Sequence, residues 1–442
     1  MIEQLRIQNF KSWRDTGTIR FAPITGFFGA NSSGKTSLLH FLLMLKQTVE
    51  SQDRQLILNL EGPYTDLGLL ADVMYQHIQP QVLDFNLTWH NSHISTPVPG
   101  SRGRSDVESF KLHSQIQLAE NTIEIQTVEY LFAQRNKEYR FAMLRDADRG
   151  YRFESDGYRS KDPELYHKHF ASPRRFHEFP MELYQSGAYQ KLRYLHELGA
   201  SFTQLMFHVN YLGPLREFPA RIYRWGGERH SLGNRGENAI QVLLADYHRH
   251  HQFQRTTKKV ALWLQQLGLI QSFELHRIAP ERREFEVRVR LHAESTEVLL
   301  TEVGFGVSQV LPVLVLCASA AKNAILILEQ PEIHLHPAVQ AGLADILIET
   351  SQRGVQVILE SHSEHLLRRL QRRIAEAKLT PQETALYFCE SDKTGTSQLK
   401  PLEVDTYGNI NNWPEHFFGD EMGDLAAMTI AAMERQIAEG NQ

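Results

Sequence analysis

Two cysteines, Cys317 and Cys389, are all that 442 residues contain. They lie far apart and without metal-ligand spacing, which argues against a disulfide framework and fits a reducing compartment. Long apolar runs are missing as well: the longest, Val310 to Ala321, falls short of the roughly 20 residues that cross a bilayer. The opening Met1-Ile2-Glu3-Gln4-Leu5-Arg6 alternates apolar and polar residues and has no apolar signal core. Nor is there a large charge of one sign. The formal net charge of −5 rules out a molecule that is electropositive throughout, while leaving room for a local basic groove. A soluble, cytoplasmic protein with no membrane contact is expected. Its length allows two or three domains, and 42% hydrophobic residues suffice for a substantial core. No internal repeat is present.

Ile2, Leu5, Ile7 and Phe10 read as a first strand and Ile19 to Phe21 as a second. Pro23 then interrupts the pattern before Ile24-Thr25-Gly26-Phe27-Phe28, an apolar strand that runs into glycine-rich sequence. The run Ser37 to Leu45 reads as a buried helix. Further on, Val82 to Trp89 and Phe110 to Phe141 alternate with strand period and predict an antiparallel meander, interrupted by a polar Pro/Gly/Ser loop from Ser95 to Ser105. Residues 151–206 are rich in His, Tyr, Arg, Glu and Lys and read as an inserted helical arm. Tyr211-Leu212-Gly213-Pro214-Leu215-Arg216 marks re-entry into the core, followed by helices over Glu237–His248 and Thr257–Leu267 and strands over Phe285–Val289 and Val298–Thr301. Ile325–Leu328 and Val355–Leu359 are short apolar runs suited to buried parallel strands. The expected fold is therefore α/β, with one core half and the meander in 1–150, the arm in 151–206, and the second core half with a C-terminal segment in 207–442.

The chemistry begins at Gly29-Ala30-Asn31-Ser32-Ser33-Gly34-Lys35-Thr36, which matches G-x-x-x-x-G-K-[ST] between a strand and a helix. In such a P-loop, glycines let the backbone curl so that its amides converge on phosphate oxygens, and the helix N-terminus adds partial positive charge. Asn31, Ser32, Ser33, Gly34, Lys35, Thr36 and Ser37 are the candidate nucleotide contacts. Lys35 would reach the β- and γ-phosphates of ATP, and the Thr36 hydroxyl would complete a Mg²⁺ shell. A second element, Ile325-Leu326-Ile327-Leu328-Glu329-Gln330-Pro331-Glu332, has the form of a Walker B strand, whose Glu329 would hold Mg²⁺ through water.

Together these segments resemble the ABC-type ATPases of the RecF, SMC and OLD branch, a bacterial AAA-type group. The likeness extends to the opening Leu5-Arg6-Ile7-Gln8-Asn9-Phe10-Lys11-Ser12-Trp13 and the Tyr211–Arg216 re-entry. It also includes Glu-Gln-Pro-Glu followed by His-Leu-His-Pro, and Tyr407–Pro414 through Gly419-Asp420-Glu421-Met422. The resemblance implies an ABC-type P-loop core with a parallel sheet, a meander and an inserted arm. It further implies a head-to-head homodimer, or a higher homo-oligomer, that sandwiches ATP between the P-loop of one subunit and a signature turn of the other. On that pattern Gly304-Phe305-Gly306-Val307-Ser308-Gln309 is the signature, with Gly306, Ser308 and Gln309 as nucleotide contacts; read plainly, it is a glycine loop with a serine N-cap. His362, at the end of the Val355–Leu359 run, would sense the γ-phosphate. His334 and His336 fall in the subunit-contact loop, which disfavours reading Glu332, His334, His336, Glu360, His362 and Glu364 as a metal cluster. Glu390 and Asp392 read as solvated turn acids, not a nuclease pair.

One departure stands out. Where the resemblance predicts a general-base glutamate, this chain has Gln330, which can orient a water but cannot accept its proton. Either Glu332 supplies the base, or hydrolysis is slow and ATP chiefly clamps the dimer. The catalytic candidates are thus Gln330, Glu332 and His362. The resemblance also implies genome maintenance or anti-phage defence, usually with a separate effector such as a nuclease. The alternative is a RecF-like ATPase acting directly on DNA, which would show salt-dependent DNA binding. An OLD-like nuclease is disfavoured because no domain-sized acidic region follows His362, and a transporter ATPase because the meander and arm interrupt the core. Lys11 or Ser12 could touch the nucleotide, and Arg216 and Arg221 could face phosphate or form salt bridges.

Overall fold

The structure is a computed structural model and describes residues 1–77, 82–90, 109–119, 122–134, 137–146, 149–156, 166–180, 182–185, 193–227, 231–249, 254–414, 417, 426–433 and 435. The polar loop Ser95–Ser105 and the segment Gly419–Met422 lie outside the described residues.

A six-stranded sheet forms the centre, in the order Val209–Leu212, Ile325–Glu329, Gln356–Glu360, Ile24–Gly29, Thr384–Ser391 and Ser397–Pro401. The first five strands are parallel and the last is antiparallel to its neighbour. Three of them, Ile24–Gly29, Ile325–Glu329 and Gln356–Glu360, are buried at every residue. That explains their unbroken apolar sequence, because a parallel strand covered on both faces has no side to give to water. Alternate side chains feed two cores. Phe27, Ile325, Ile327 and Ile358 face one, with the helix Lys35–Glu50. Phe28, Leu326, Leu328, Val357 and Leu359 face the other, with the helices Phe305–Ser319, Pro337–Gln352 and Glu364–Ala375.

Beyond the helix Lys35–Glu50 lies a nine-stranded antiparallel sheet that includes Ile2–Phe10, Val82–His90, Ser109–Ala119, Thr122–Gln134, Lys137–Asp146 and Gly150–Asp156. Its inner face is aromatic; Trp89 stacks on Phe110 at 5.7 Å and Phe141 on Phe153. Its other face carries a charged chain in which His113 lies 3.3 Å from both Asp84 and Glu129, and Glu129 pairs with Arg140. The expected α/β class, a parallel sheet joined to an antiparallel meander, is what the chain adopts. The meander runs on to Asp156. The main described helix of 151–206 is Arg193–Phe207, whose Ser201 hydroxyl accepts the Trp89 indole N–H and whose Phe202 meets the Trp89 ring edge-on.

A four-stranded antiparallel sheet comprises Tyr223–Arg224, Ser272–Arg277, Glu284–Arg290 and Val298–Leu299. The expected strand at Val298–Thr301 is shorter than read, because residues 300–302 form a 3₁₀ turn in which Glu302 reaches back to the Leu299 N–H. No helix among the described residues is long and apolar enough to cross a membrane. Cys317 and Cys389 are both buried free thiols.

The topology decides where chemistry can occur. Parallel strands present their carboxyl ends along one edge of the sheet. Gly29, Glu329 and Glu360 are therefore neighbours, although 331 positions separate the first from the last (360 − 29).

Candidate functional site

The loop that joins the strand Ile24–Gly29 to the helix Lys35–Glu50 turns through left-handed backbone at Ser32 (φ 60°) and Gly34 (φ 87°). Gly34 is required on two counts. An L-residue is strained at that φ, and a Cβ there would lie 2.4 Å from Ser397 Oγ, 2.8 Å from Ser12 Oγ and 2.9 Å from Trp13 Nε1. Those three groups brace the loop from behind. Trp13 Nε1 donates to Gly34 O at 3.1 Å and Ser37 Oγ at 3.2 Å, Ser397 Oγ donates to Ser12 Oγ at 2.6 Å, and Ser391 Oγ donates to Ser32 O.

A cavity of about 360 Å³ opens at this loop, lined by Asn31 to Ser37 together with Ser12, Gln330, Glu360 and His362. Lys35 is 2% exposed; its ammonium donates to Ala30 O at 2.6 Å and Gly29 O at 3.1 Å. Burial pulls its pKa below the usual lysine value, against the opposing pull of Glu360. Thr36 Oγ1 donates to Glu360 Oε2 at 2.7 Å. Burial pushes the Glu360 carboxyl upward and the neighbouring Glu329 adds to it, while the Thr36 hydrogen bond opposes the rise. Glu329 stands at the end of the adjacent strand, in register with Glu360. Its Oε1 accepts from the Tyr211 hydroxyl at 3.1 Å and lies 3.3 Å from His40 Nε2.

Gln330 follows with φ 42°, and its backbone N–H donates to Glu360 O at 2.9 Å. Left-handed backbone at a residue other than glycine is a strained arrangement that recurs at functional sites. Behind it, the buried Arg216 donates through Nη2 to Glu329 O and Gln330 O. Burial holds that guanidinium down at about 10, with Glu332 opposing. Arg216 therefore follows neither of the two readings open for it, phosphate contact or salt bridge, and is instead a backbone clamp; Arg221 lies 3.9 Å from Glu302.

Glu332 does not line the cavity. It is 5% exposed, its Oε1 accepts the His362 backbone N–H at 2.7 Å, and its Oε2 has no partner. It thus supports the turn that carries His362, whose ring lines the cavity with Nε2 4.0 Å from Glu360 Oε1. Burial and the Lys35 charge both lower the His362 pKa.

Gly306, Ser308 and Gln309 are not brought to this cavity. They sit in the first turns of the helix Phe305–Ser319, whose N-cap is Gly304; the serine is therefore not the cap. Ser308 Oγ donates to Phe305 O, and the buried Gln309 Nε2 has no partner. Phe305, 43% exposed, meets Phe218 at 5.7 Å and His334 at 5.0 Å. His336 caps the helix Pro337–Gln352 by accepting the Ala338 N–H. Among the described residues no group of three or more His, Cys, Asp and Glu side chains is placed to hold a metal. Glu390 pairs with Lys400, and Asp392 is occupied in its own turn by Thr394 and Thr396.

The residues that sequence reasoning missed are Glu360, His40, Tyr211 and Trp13. Glu360 was legible as the acid at the tip of a buried strand, but nothing in the sequence says that this strand lies beside the P-loop strand. Lys11, one of the two early candidates, is turned away and donates to Leu67 O.

Residues 24–368 match the family described as "AAA domain, putative AbiEii toxin, Type IV TA system", and residues 379–428 match "Protein of unknown function (DUF3696)". No curated protein matches. Similar solved structures include the SMC head bound to the C-winged helix domain of ScpA, at 12% identity over 91% of this chain and 98% of that chain, with a TM-score of 0.48. The SMC head domain from Thermotoga maritima is similar at 11% identity over 91% and 99%, with a TM-score of 0.43. The Smc head domain with an extended coiled coil bound to the C-terminal domain of ScpA, derived from Pyrococcus furiosus, is similar at 11% identity over 91% and 96%, with a TM-score of 0.46.

Proposed function

We propose, from the premise that this chain belongs to the AAA-domain family described as putative AbiEii toxin, Type IV TA system, that it binds Mg²⁺-ATP and hydrolyses it slowly. In this reading ATP closes a homodimer that serves as sensor or scaffold for a separate effector, a nuclease, in bacterial anti-phage defence. The observation that carries the reading is the meeting of Lys35, the Thr36 hydroxyl, Glu360 and Glu329 at the sheet edge. A buried ammonium and a helix N-terminus suit phosphate oxygens. The Thr36 hydroxyl together with the Glu329 carboxylate suits a divalent cation, which takes one or two carboxylates together with substrate phosphates. The donor set therefore fits a magnesium-bound triphosphate. Lys35 and the loop amides would hold the phosphates, Thr36 and Glu329 would hold the metal, and the metal would supply charge neutralisation between the β- and γ-phosphates.

Gln330 supports slow turnover, since an amide at that strand end leaves the water without its usual proton acceptor. The dimer is supported by Gly306, Ser308 and Gln309 lying away from their own chain's cavity, next to the exposed Phe218 and Phe305. The family's description, a toxin of a toxin–antitoxin system, is in keeping with a defence role. Sedimentation velocity of the native chain with and without Mg²⁺-ATP tests the switch, with Lys35→Ala as control. A shift to dimer in the native chain alone is expected. Unchanged sedimentation in both chains refutes ATP-gated assembly.

A further inference from the structure

The cavity raises a question of proton traffic. Gln330 lines it and cannot accept a proton, and Glu332 is turned behind the His362 backbone. Glu329 is directed to Tyr211 and His40. Among the described residues lining the cavity, Glu360 is the one carboxylate. Its position follows from strand order. The strand Gln356–Glu360 runs between the P-loop strand Ile24–Gly29 and the strand Ile325–Glu329, pairing in parallel with both. Its tip is therefore held from both sides: Glu360 pairs with Phe27 on one neighbour and Glu329 on the other, the Gln330 N–H donates to Glu360 O, and the Ser361 N–H donates to Phe27 O. Gln330 thus follows directly on Glu360's register partner Glu329, and its backbone N lies 2.9 Å from Glu360 O. The carboxylate absent at Gln330 is present at Glu360, on the floor of the same cavity.

We propose that Glu360 is the catalytic carboxylate of this site, orienting the attacking water and taking its proton in place of the residue that Gln330 is not. The proposal rests on the ATPase reading above. In the step it assigns, the water oxygen bonds to the terminal phosphorus of ATP and one water proton passes to a Glu360 carboxylate oxygen. The bond between that phosphorus and the β–γ bridging oxygen breaks, and its electron pair leaves with ADP. The phosphate departs carrying the second water proton, and Glu360 releases its own proton to solvent. Gln330, one strand over, donates its side-chain amide to the same water. Glu360 is placed for this by Thr36, which fixes Oε2 at 2.7 Å and leaves Oε1 towards His362.

The test compares full-length native chain, Glu360→Gln, and Glu360→Gln combined with Gln330→Glu. Each is measured for ATP turnover and for equilibrium binding of a fluorescent ATP analogue with Mg²⁺. The amide of Glu360→Gln keeps an oxygen for the Thr36 hydroxyl. Its turnover is expected to fall by about 100-fold or more, the usual contribution of a positioned base, with analogue affinity within about threefold of native. The double variant should recover at least tenfold of that loss, because it returns a carboxylate one strand away. Undiminished turnover in Glu360→Gln overturns the proposal, and so does a tenfold loss of Mg²⁺-dependent affinity, which would make Glu360 a metal holder instead. If Glu360→Gln does not fold, Glu360→Asp decides the matter: its shortened carboxylate should slow turnover at least tenfold at native affinity, and native turnover overturns the idea. Absence of analogue binding by the native chain is a different result, which removes the ATPase reading itself.

Discussion

Replacing Gly34 by alanine attacks the candidate site at one atom. The added Cβ would enter a space where Ser397 Oγ, Ser12 Oγ and Trp13 Nε1 all lie within 2.9 Å. It would also sit on a residue with φ 87°, where an L-side chain is disfavoured by about 1–2 kcal/mol. Relief requires the brace to move, which endangers the Ser397–Ser12 hydrogen bond and the Trp13 bond to Gly34 O. Each such bond has a net worth of about 1 kcal/mol. Summed, the phosphate-binding geometry becomes about 3–4 kcal/mol less accessible, which at 1.4 kcal/mol per decade is roughly a 140- to 700-fold loss of ATP affinity. Titration with a fluorescent ATP analogue measures the loss, and circular dichroism shows whether the fold persists. Affinity within threefold of native in a folded Gly34→Ala protein would refute the claim that this loop needs glycine's backbone freedom to hold phosphate.

Other perturbations separate the remaining parts. Gln330→Glu should raise ATP turnover at least about tenfold; unchanged turnover would defeat the argument from the missing acid. Arg216→Met removes the clamp on Glu329 O and Gln330 O together with a guanidinium whose Nε and Nη1 have no partner. Urea midpoints should therefore move by no more than about 2 kcal/mol equivalent, while turnover drops at least tenfold; a larger stability loss with normal turnover contradicts the clamp. Burial depresses the His113 imidazole, but the hydrogen bonds it donates to Asp84 and Glu129 more than offset it and push the pKa up to about 9. The folded value lies above the unfolded one of about 6.5. This contribution is thus complete below pH 6.5 and lost as pH rises through 9; solvent screening of the part-exposed ring reduces the roughly 3 kcal/mol of the full displacement to about 2 kcal/mol. Urea melts at pH 6 and pH 9.5 should show that decline in the native chain and not in His113→Gln.

Much of the core could be read directly. The P-loop announces itself because its glycines, Lys35 and Thr36 are consecutive, and the strands at 325–329 and 356–360 because full burial forces unbroken apolar runs. Spatial partnership was far less legible. Glu360 belongs to the site only because its strand inserts between two others, and no local pattern encodes strand order. Trp13 looks like an ordinary core aromatic until its indole N–H is seen on Gly34 O. Glu332 misled for the opposite reason: proximity in sequence to Glu329 suggested the same destination, whereas the turn at Gln330 aims it at the His362 backbone. At 151–206, composition showed polarity but not which residues face the meander, so the burial of Phe176, Phe179, Leu198 and Phe202 was hidden.

The central claim is that residues 29–36 bind the phosphates of ATP through Lys35. Steady-state Mg²⁺-ATP turnover, measured alongside analogue binding for the native chain and for Lys35→Ala, tests it most directly. Slow native turnover with measurable binding, both abolished by Lys35→Ala, is the predicted result. Turnover and binding that survive Lys35→Ala would place the activity at another site or in a contaminant and contradict the account.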